Sequence, residues 1–180
     1  MSIQPVRLFG DPVLRTRADE VVDFDRELAQ LVEDLVDTMQ DRGGAGIAAP
    51  QIGVGLRVFA YNCGGMSGHL VNPTYEVLGS GEQVGPEGCL SIPGVRADCR
   101  RALTVRAHGF TMDGEPVSFE CDGLMARCVQ HETDHLDGVL FLARLEPADR
   151  KDAMRVIRQS DWFRAGITVS TGSAAPAGGR

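Results

Sequence analysis

The chain has 180 residues, of which 43% are hydrophobic and 24% charged, a composition typical of one globular domain. Its 18 Lys and Arg against 25 Asp and Glu leave a formal charge of −7, which disfavours a strongly basic nucleic-acid-binding protein. No apolar run approaches the ~20 residues that span a bilayer, and charges interrupt the N-terminus, so we expect no membrane span and no secretory signal. The five cysteines are an odd number, so we expect reduced thiols and a cytoplasmic location.

The first part of the chain is predicted to contain one helix followed by strands. Residues 25–42 carry an apolar stripe at helical spacing, with aspartates before it as caps and a glycine pair after it. Residues 56–61 and 69–78 have strand-like composition. Apolar residues then alternate with polar ones over 103–107 and 117–121, and an Asp-Gly pair between these runs predicts a hairpin turn.

Two further helices and a tail are predicted in the last third. Residues 123–136 form the second helix, and the third runs from about residue 147 to residue 163, with a proline suited to its first turn. From about residue 165 small and polar residues dominate. We therefore expect a single domain over residues 1–164 and a disordered tail over residues 165–180.

The second predicted helix carries an H-E-x-x-H motif formed by His131, Glu132 and His135. Residues four apart lie on one helix face, so the two imidazoles can bind one metal ion. The glutamate is then positioned to act as general base on a water that the metal activates. The alternative is a helix whose two histidines are surface residues or hydrogen-bonded core residues, because so short a pattern also recurs by chance.

A catalytic metal site of this kind needs a third protein ligand. No histidine follows His135, and Glu146 is a weak candidate because it precedes a predicted helix. Cys128 shares the helix, but Cys128 and the two histidines would span about 10 Å along its axis, too far for one tetrahedral site. Another segment should supply the ligand, and Cys89 within Glu87–Ser91 is the preferred choice because the preceding glycine allows close approach.

The remaining cysteines are interpreted as small buried hydrophobic residues, and Cys128 is expected to line the pocket without binding the metal. A third segment, Gly44–Gln51, is too rich in small residues for ordinary core, and its glycines permit close approach of a bound peptide. Gln51 offers an amide that can donate to a developing oxyanion. A phosphate-binding loop is disfavoured because the Lys-Ser/Thr pair of a P-loop is missing.

Together these segments resemble the peptide deformylase family. Gly44–Gln51 match G-x-G-x-A-A-P-Q, Glu87–Ser91 match E-G-C-x-S, and Gln130–Gly138 match Q-H-E-x-D-H-L-x-G, in the family's order. The resemblance covers most of residues 1–164 and implies one catalytic domain of this type. It implies an α+β fold, with antiparallel or mixed β-sheets packed around the central metal-binding helix and with N- and C-terminal helices.

The resemblance also implies roles for individual residues. Ala45 and Gly94 differ from residues that many or some members carry at the pocket rim, which leaves substrate preference beyond formylmethionine open. The implied metal ligands are Cys89, His131 and His135; the implied base is Glu132, the oxyanion donors are the Gln51 side chain and the Leu90 backbone N–H, and the substrate contacts are Ala45, Gly46, Gly88, Arg96 and Cys128.

The activity that the resemblance implies is hydrolytic removal of the N-formyl group from the N-terminal formylmethionine of nascent polypeptides, with release of formate. It implies one divalent metal ion per chain, Fe(II) first, with Zn(II), Ni(II) or Co(II) as substitutes; a soft thiolate ligand fits Fe(II) or Zn(II). The expected partners are a formylmethionyl peptide and, transiently, the ribosome, with no stable nucleic-acid complex and no membrane. Lys151, Arg155, Arg158 and Arg164 suit a weak RNA contact, although such charges more often form a solvated face.

Two other functions share parts of this pattern. A zinc endopeptidase would share H-E-x-x-H but needs a third ligand after His135 and a cleft for internal peptide bonds. A non-catalytic module with a structural metal would need a fourth protein ligand, and Glu132 and Gln51 would then have no evident purpose. We rank both below the deformylase activity, with the structural-metal module last.

Overall fold

The computed structural model describes residues 3–171. The helices are α1 (Arg26–Asp41), α2 (Gly123–Leu136), α3 (Pro147–Gln159) and α4 (Asp161–Arg164). The strands are β1 (Val6–Arg7), β2 (Gly46–Ala48), β3 (Val58–Cys63), β4 (Met66–Val77), β5 (Glu82–Cys89), β6 (Ile92–Ala102), β7 (Thr104–Phe110), β8 (Pro116–Asp122) and β9 (Val169–Ser170). Short 3-10 helices cover Pro12–Arg15, Ala49–Ile52 and Phe141–Arg144.

An antiparallel sheet with the order β2-β3-β4-β7-β8 forms the middle layer of the fold. Successive residues of a strand face opposite sides, and β3 uses this alternation to contact both flanking helices. Val58 and Ala60 pack in the cluster that includes α1, whereas Phe59 and Tyr61 pack in the cluster that includes α2. The predicted α+β fold, with antiparallel strands around the helix that bears the histidines, is confirmed.

The local sequence accounts for the start, the end and the buried face of α1. The Asp25 carboxylate accepts hydrogen bonds from the backbone N–H groups of Glu27 and Leu28, each at 3.0 Å, which caps the first turn. The chain leaves the helix at Gly43, whose φ of +62° favours glycine. The buried stripe, from Leu28 to Met39, is the apolar stripe that the sequence predicts.

Helix α2 covers residues 123–136, as predicted, and its residues 125–136 are all buried. Just beyond it, Gly138 has a φ of +71°, and a Cβ atom there would lie 2.7 Å from the carbonyl oxygen of Arg15. Only glycine satisfies both conditions, so this motif position lets the end of α2 pack directly against the N-terminal segment. The polar residues of a buried helix need hydrogen-bond partners within the protein, and for α2 other segments of the chain supply most of them.

The third predicted helix is broken into two. It ends at Gln159 because Ser160 adopts an extended conformation (φ −70°, ψ 142°), its hydroxyl donating to the Ile157 carbonyl at 2.6 Å, and α4 then begins at Asp161. Helical periodicity does not reveal this break, because the apolar residues on either side keep a helical spacing. The break turns Trp162 toward the large cleft of the molecule.

Part of the segment expected to be a disordered tail takes part in the fold. Val169–Ser170 form β9, which pairs antiparallel with Val6–Arg7 at the start of the chain. Two paired residues between small and polar neighbours are too short to leave a strand pattern in the sequence. Residues 172–180 of the expected tail lie outside the described residues.

The strand predictions agree with β3, β4, β7 and β8, and the Asp-Gly turn joins the last two. Strands β5 and β6, which form a separate hairpin, were not predicted. Gly85, Pro86 and Gly88 interrupt the apolar alternation of β5, although the backbone pairs along its whole length. Among the described residues, none of the helices combines the length and apolar character that a bilayer span requires.

Candidate metal centre

Three side chains from two elements meet where the β5–β6 hairpin crosses α2. His131 and His135 lie one helical turn apart on α2, and Cys89 ends β5 beside them. Their candidate ligand atoms all lie within 4.8 Å of one another, and Cys89 Sγ is 3.3 Å from His135 Nε2. Two atoms bound to one ion at about 2.0–2.3 Å lie ~3.5 Å apart in a tetrahedral site, so the arrangement fits one metal ion.

The donor set is what a catalytic metal site requires. Within residues 3–171 the group contains three potential ligands and no fourth, unlike a closed structural site. Burial lowers the pKa of His135 well below its ordinary value, so its ring is neutral, the form that binds metals. Burial alone would lower the pKa of His131, but hydrogen bonds with Cys89 and Glu87 raise it well above its ordinary value, which reflects electronegative surroundings suited to a cation.

Glu87 orients one of these ligands. Its Oε2 atom lies 3.1 Å from Nδ1 of His131, which leaves Nε2 of that ring for the metal. Burial would raise the pKa of Glu87, but hydrogen bonds from His131 and Arg101 hold the pKa well below its ordinary value. The carboxylate therefore stays charged and fixes the tautomer and orientation of the imidazole.

Sequence reasoning missed the buried ion network behind the ligands. Glu87 accepts two hydrogen bonds from Arg101, at 2.8 and 3.0 Å, and a third from Arg127 at 3.0 Å. Asp134 accepts one hydrogen bond from Arg101 at 2.7 Å and two from Arg144, at 2.7 and 3.1 Å. Both acids lie inside the family motifs, so their presence in the site could have been predicted. Arg101 lies outside the motifs, and nothing in the neighbouring sequence marks it as a partner of these acids. The network satisfies charges that burial would otherwise make costly.

Glu132 lies between the ligands on α2 and faces β2. It is only 3% exposed, and its Oε2 atom has no hydrogen-bond partner among the described residues. A Cβ atom on Gly46 would lie 2.5 Å from Oε1, so this carboxylate needs a glycine opposite it. Burial raises its pKa to about 7, and a cation bound by the neighbouring ligands would act in the opposite direction.

The Gln51 amide is aimed at the ligand cluster. Its Oε1 accepts a hydrogen bond from the backbone N–H of Ala48 at 2.9 Å, and its Nε2 donates to Ser91 Oγ at 3.2 Å. The same Nε2 lies 3.6 Å from Cys89 Sγ. The amide nitrogen is therefore oriented as a donor beside the candidate metal ligands. Leu90 follows Cys89 directly in the chain, in the turn between β5 and β6.

A cleft of about 1180 Å³ opens from this cluster, larger than the roughly 300–1,000 Å³ of a typical small-molecule site. Cys128 is 7% exposed in its wall, and its thiol lies 3.6 Å from the Ala45 carbonyl. Cys63, Cys99 and Cys121 are buried, as expected. The predicted substrate contacts all line the cleft: Ala45, Gly46, Gly88, Arg96 and Cys128.

Comparisons with known proteins agree with this geometry. The sequence model of the polypeptide deformylase family matches residues 3–151. Peptide deformylase 1 of Corynebacterium efficiens is 58% identical over 167 residues, covering 91% of this chain and 99% of that protein. The peptide deformylase of Acidothermus cellulolyticus is 57% identical over 171 residues, covering 95% and 94%.

Solved structures agree as well. The crystal structure of a peptide deformylase from Legionella pneumophila has a TM-score of 0.83 at 38% identity, covering 91% of this chain and 98% of that one. That of Synechococcus elongatus, in complex with actinonin, has a TM-score of 0.81 at 36% identity, covering 88% and 87%. The chain therefore belongs to the polypeptide deformylase family, the metal-dependent hydrolases that remove the N-formyl group from nascent polypeptides.

Proposed function

We propose that Cys89, His131 and His135 bind the single divalent metal ion of this enzyme and that the ion is Fe(II). Their mutual distances and the lack of a fourth ligand within residues 3–171 support a site with a position left for water. The thiolate is a soft donor and reduces the net charge of the site from +2 to +1, which suits Fe(II) and also Zn(II). Ni(II) and Co(II) are the further substitutes. When bound, such an ion activates water and polarises a carbonyl oxygen.

Glu132 serves as the base in this proposal. It takes a proton from the attacking water and later delivers a proton to the leaving amine, so that formate and a free N-terminus result. Its burial and its position facing Gly46 support this role, as does its Oε2 atom, which has no hydrogen-bond partner within residues 3–171. The Gln51 side chain and the Leu90 backbone N–H donate to the oxyanion that develops on the formyl group. One such donor contributes about 3–4 kcal/mol to the transition state.

The peptide part of the substrate pairs with the free edge of β2. This strand is at the edge of the five-stranded sheet, and Asn62 on its paired side donates to the Ala45 carbonyl at 2.8 Å. Hydrogen-bonding directions alternate along an antiparallel strand, so the N–H and C=O of Gly46 face the opposite edge, where the cleft lies. An extended peptide added there gains main-chain hydrogen bonds. Gly88 and Arg96, paired across β5 and β6, contact it from the other wall.

The observation that carries this proposal is the position of Glu132 between two of the three ligands and opposite Gly46. The test is formate release from a formyl-Met-Ala-Ser peptide by protein purified anaerobically with Fe(II), beside Glu132→Gln. We expect the variant to retain the metal, measured by elemental analysis, while turnover falls to background. Full activity in the variant would overturn the role of Glu132. No activity of the Fe(II), Ni(II) and Co(II) forms would overturn the proposal as a whole.

The proposed setting is the cytoplasm, where formylated chains emerge from ribosomes. The exposed Lys151, Arg155 and Arg158 on α3 and Arg164 on α4 support a transient, salt-dependent contact with ribosomal RNA. Arg155 is also engaged by Asp152 at 3.0 Å, which weakens its contribution. Co-sedimentation with ribosomes at low and high salt tests this contact. Binding that does not change with salt, or no binding at low salt, would contradict it.

A further inference from the structure

The cleft continues well past the metal ligands. At its far end α1 terminates, and the last described residues of the chain return beside β1. Leu8 donates its backbone N–H to the Thr168 carbonyl at 2.7 Å, which extends the pairing of β1 with β9. This end is lined by Leu8, Arg42, Ile167, Val169, Ser170 and Thr171.

Arg42 provides a second contact that holds β9. Its Nη2 atom donates to the Ser170 carbonyl at 3.1 Å, and its Nη1 atom lies 3.4 Å from the Ser170 hydroxyl. The Arg42 side chain is 5% exposed, and Asp41 balances its charge at 3.4 Å. A strand of two residues is thus held both by its pairing with β1 and by a buried guanidinium. We refer to β9 together with Ile167 and Thr171 as the C-terminal wall.

The C-terminal wall lies on the path that an extended substrate would follow. The reacting end is set by Glu132 opposite Gly46, and the cleft follows the chain back from Gly46 to Arg42. Four residues of chain span at most about 14 Å, and four residues of extended peptide span the same length. A peptide whose formyl group lies at Glu132 therefore reaches the C-terminal wall by its third or fourth residue.

We propose that the C-terminal wall and Arg42 form a subsite for the third and following residues of the formylated peptide. The subsite takes an extended main chain with uncharged side chains, because Ile167 and Val169 supply apolar surface and the arginine is already paired. Ile167 is 45% exposed, so a bound peptide would cover apolar surface that water now contacts. This inference rests on the proposed binding of the peptide along β2. The residues that recognise longer peptide substrates would then lie outside the three family motifs.

The test compares a formyl-Met-Ala amide with a formyl-Met-Ala-Ser-Ala-Ala amide on the metal-loaded, full-length enzyme. For Ile167→Ser we expect KM for the pentapeptide to rise roughly fivefold, with kcat unchanged and with dipeptide values within about twofold of the parent. Arg42→Lys, which loses the fork that holds Ser170, should act in the same direction. Val156→Ser is the control, because Val156 is 43% exposed on α3 and does not line the cleft.

The outcomes separate the two proposals. Equal effects of Ile167→Ser on both peptides, or no effect on the pentapeptide, would overturn the subsite while leaving the deformylase reaction intact. No turnover of either peptide by the parent enzyme would instead count against the proposed function. If Arg42→Lys fails to fold, the exposed Ile167 still decides the question, since its substitution leaves the core untouched.

Discussion

A Cβ atom on Gly46 would lie 2.5 Å from Oε1 of Glu132, so β2 and α2 approach each other more closely than a larger residue at position 46 allows. The same Cβ atom would lie 2.9 Å from the thiol of Cys128, so shifting β2 away from Glu132 toward Cys128 would not relieve the contact. Glu132 is only 3% exposed, so its carboxylate has little freedom to move away from this contact. The glycine therefore sets both the position of the carboxylate and the width of the cleft.

Gly46→Ala should cut kcat/KM for formyl peptides by roughly a hundredfold, since a displacement of about 1 Å in the reacting groups has effects of this size. Formate release and metal content are the measurements. The matched control is Gly55→Ala, because a Cβ atom on Gly55 meets nothing within 4 Å. Equal activity of the Gly46→Ala variant and the control would show that the close contact has no bearing on catalysis.

Glu87→Gln should weaken metal binding by about 10- to 100-fold, because the amide no longer provides a charged acceptor for Nδ1 of His131. Competition with a chelator, followed by loss of bound metal, measures this affinity. Glu82→Gln is the control, since Glu82 pairs with Arg100 at 2.7 Å on the exposed side of the same hairpin. If the metal affinity of Glu87→Gln equals that of the parent, Glu87 does not position His131 for metal binding.

Arg101→Met should lower the free energy of unfolding by about 3–5 kcal/mol, because it leaves Glu87 and Asp134 as buried acids with fewer partners. Denaturant titration of the parent and variant gives this value. Arg106→Gln breaks ion pairs with the exposed Glu76 and Glu120 and should change stability little. Similar losses of unfolding free energy in both variants would mean that burial does not increase the contribution of these ion pairs to stability.

The stability of the enzyme should fall in mildly acidic solution partly through His69. Its Nε2 accepts the backbone N–H of Met112 at 2.9 Å, and burial lowers its pKa below 6.5 despite the opposing charge of Asp113. The unfolded chain binds the proton more readily, so this contribution is present above about pH 6.5 and is lost as pH falls toward the folded-state pKa. The free energy of unfolding of His69→Gln should therefore decline less between pH 7.5 and 5.5 than that of the parent. An identical decline would exclude this contribution.

The sequence by itself determined the features that depend on local spacing. The stripe and cap of α1, the Asp-Gly hairpin, and the arrangement of Glu132 between two histidines all follow from residues within a few positions of one another. The family motifs allowed Cys89 to be grouped with His131 and His135, although these lie more than 40 residues further along the chain. Local periodicity did not reveal β5, β6 or the break at Ser160, because strand pairing and helix ends there depend on contacts distant in sequence.

Only the tertiary structure decided which charges lie together behind Cys89, His131 and His135 and what borders the far end of the cleft. Arg101 reaches Glu87 and Asp134 because β6 crosses α2, and no spacing within one element encodes that crossing. Likewise Arg42 and Ser170 are 128 positions apart and meet because the chain returns to β1. A buried charge and a two-residue strand each acquire stability from partners supplied by other segments, so their roles emerge only when those segments are packed.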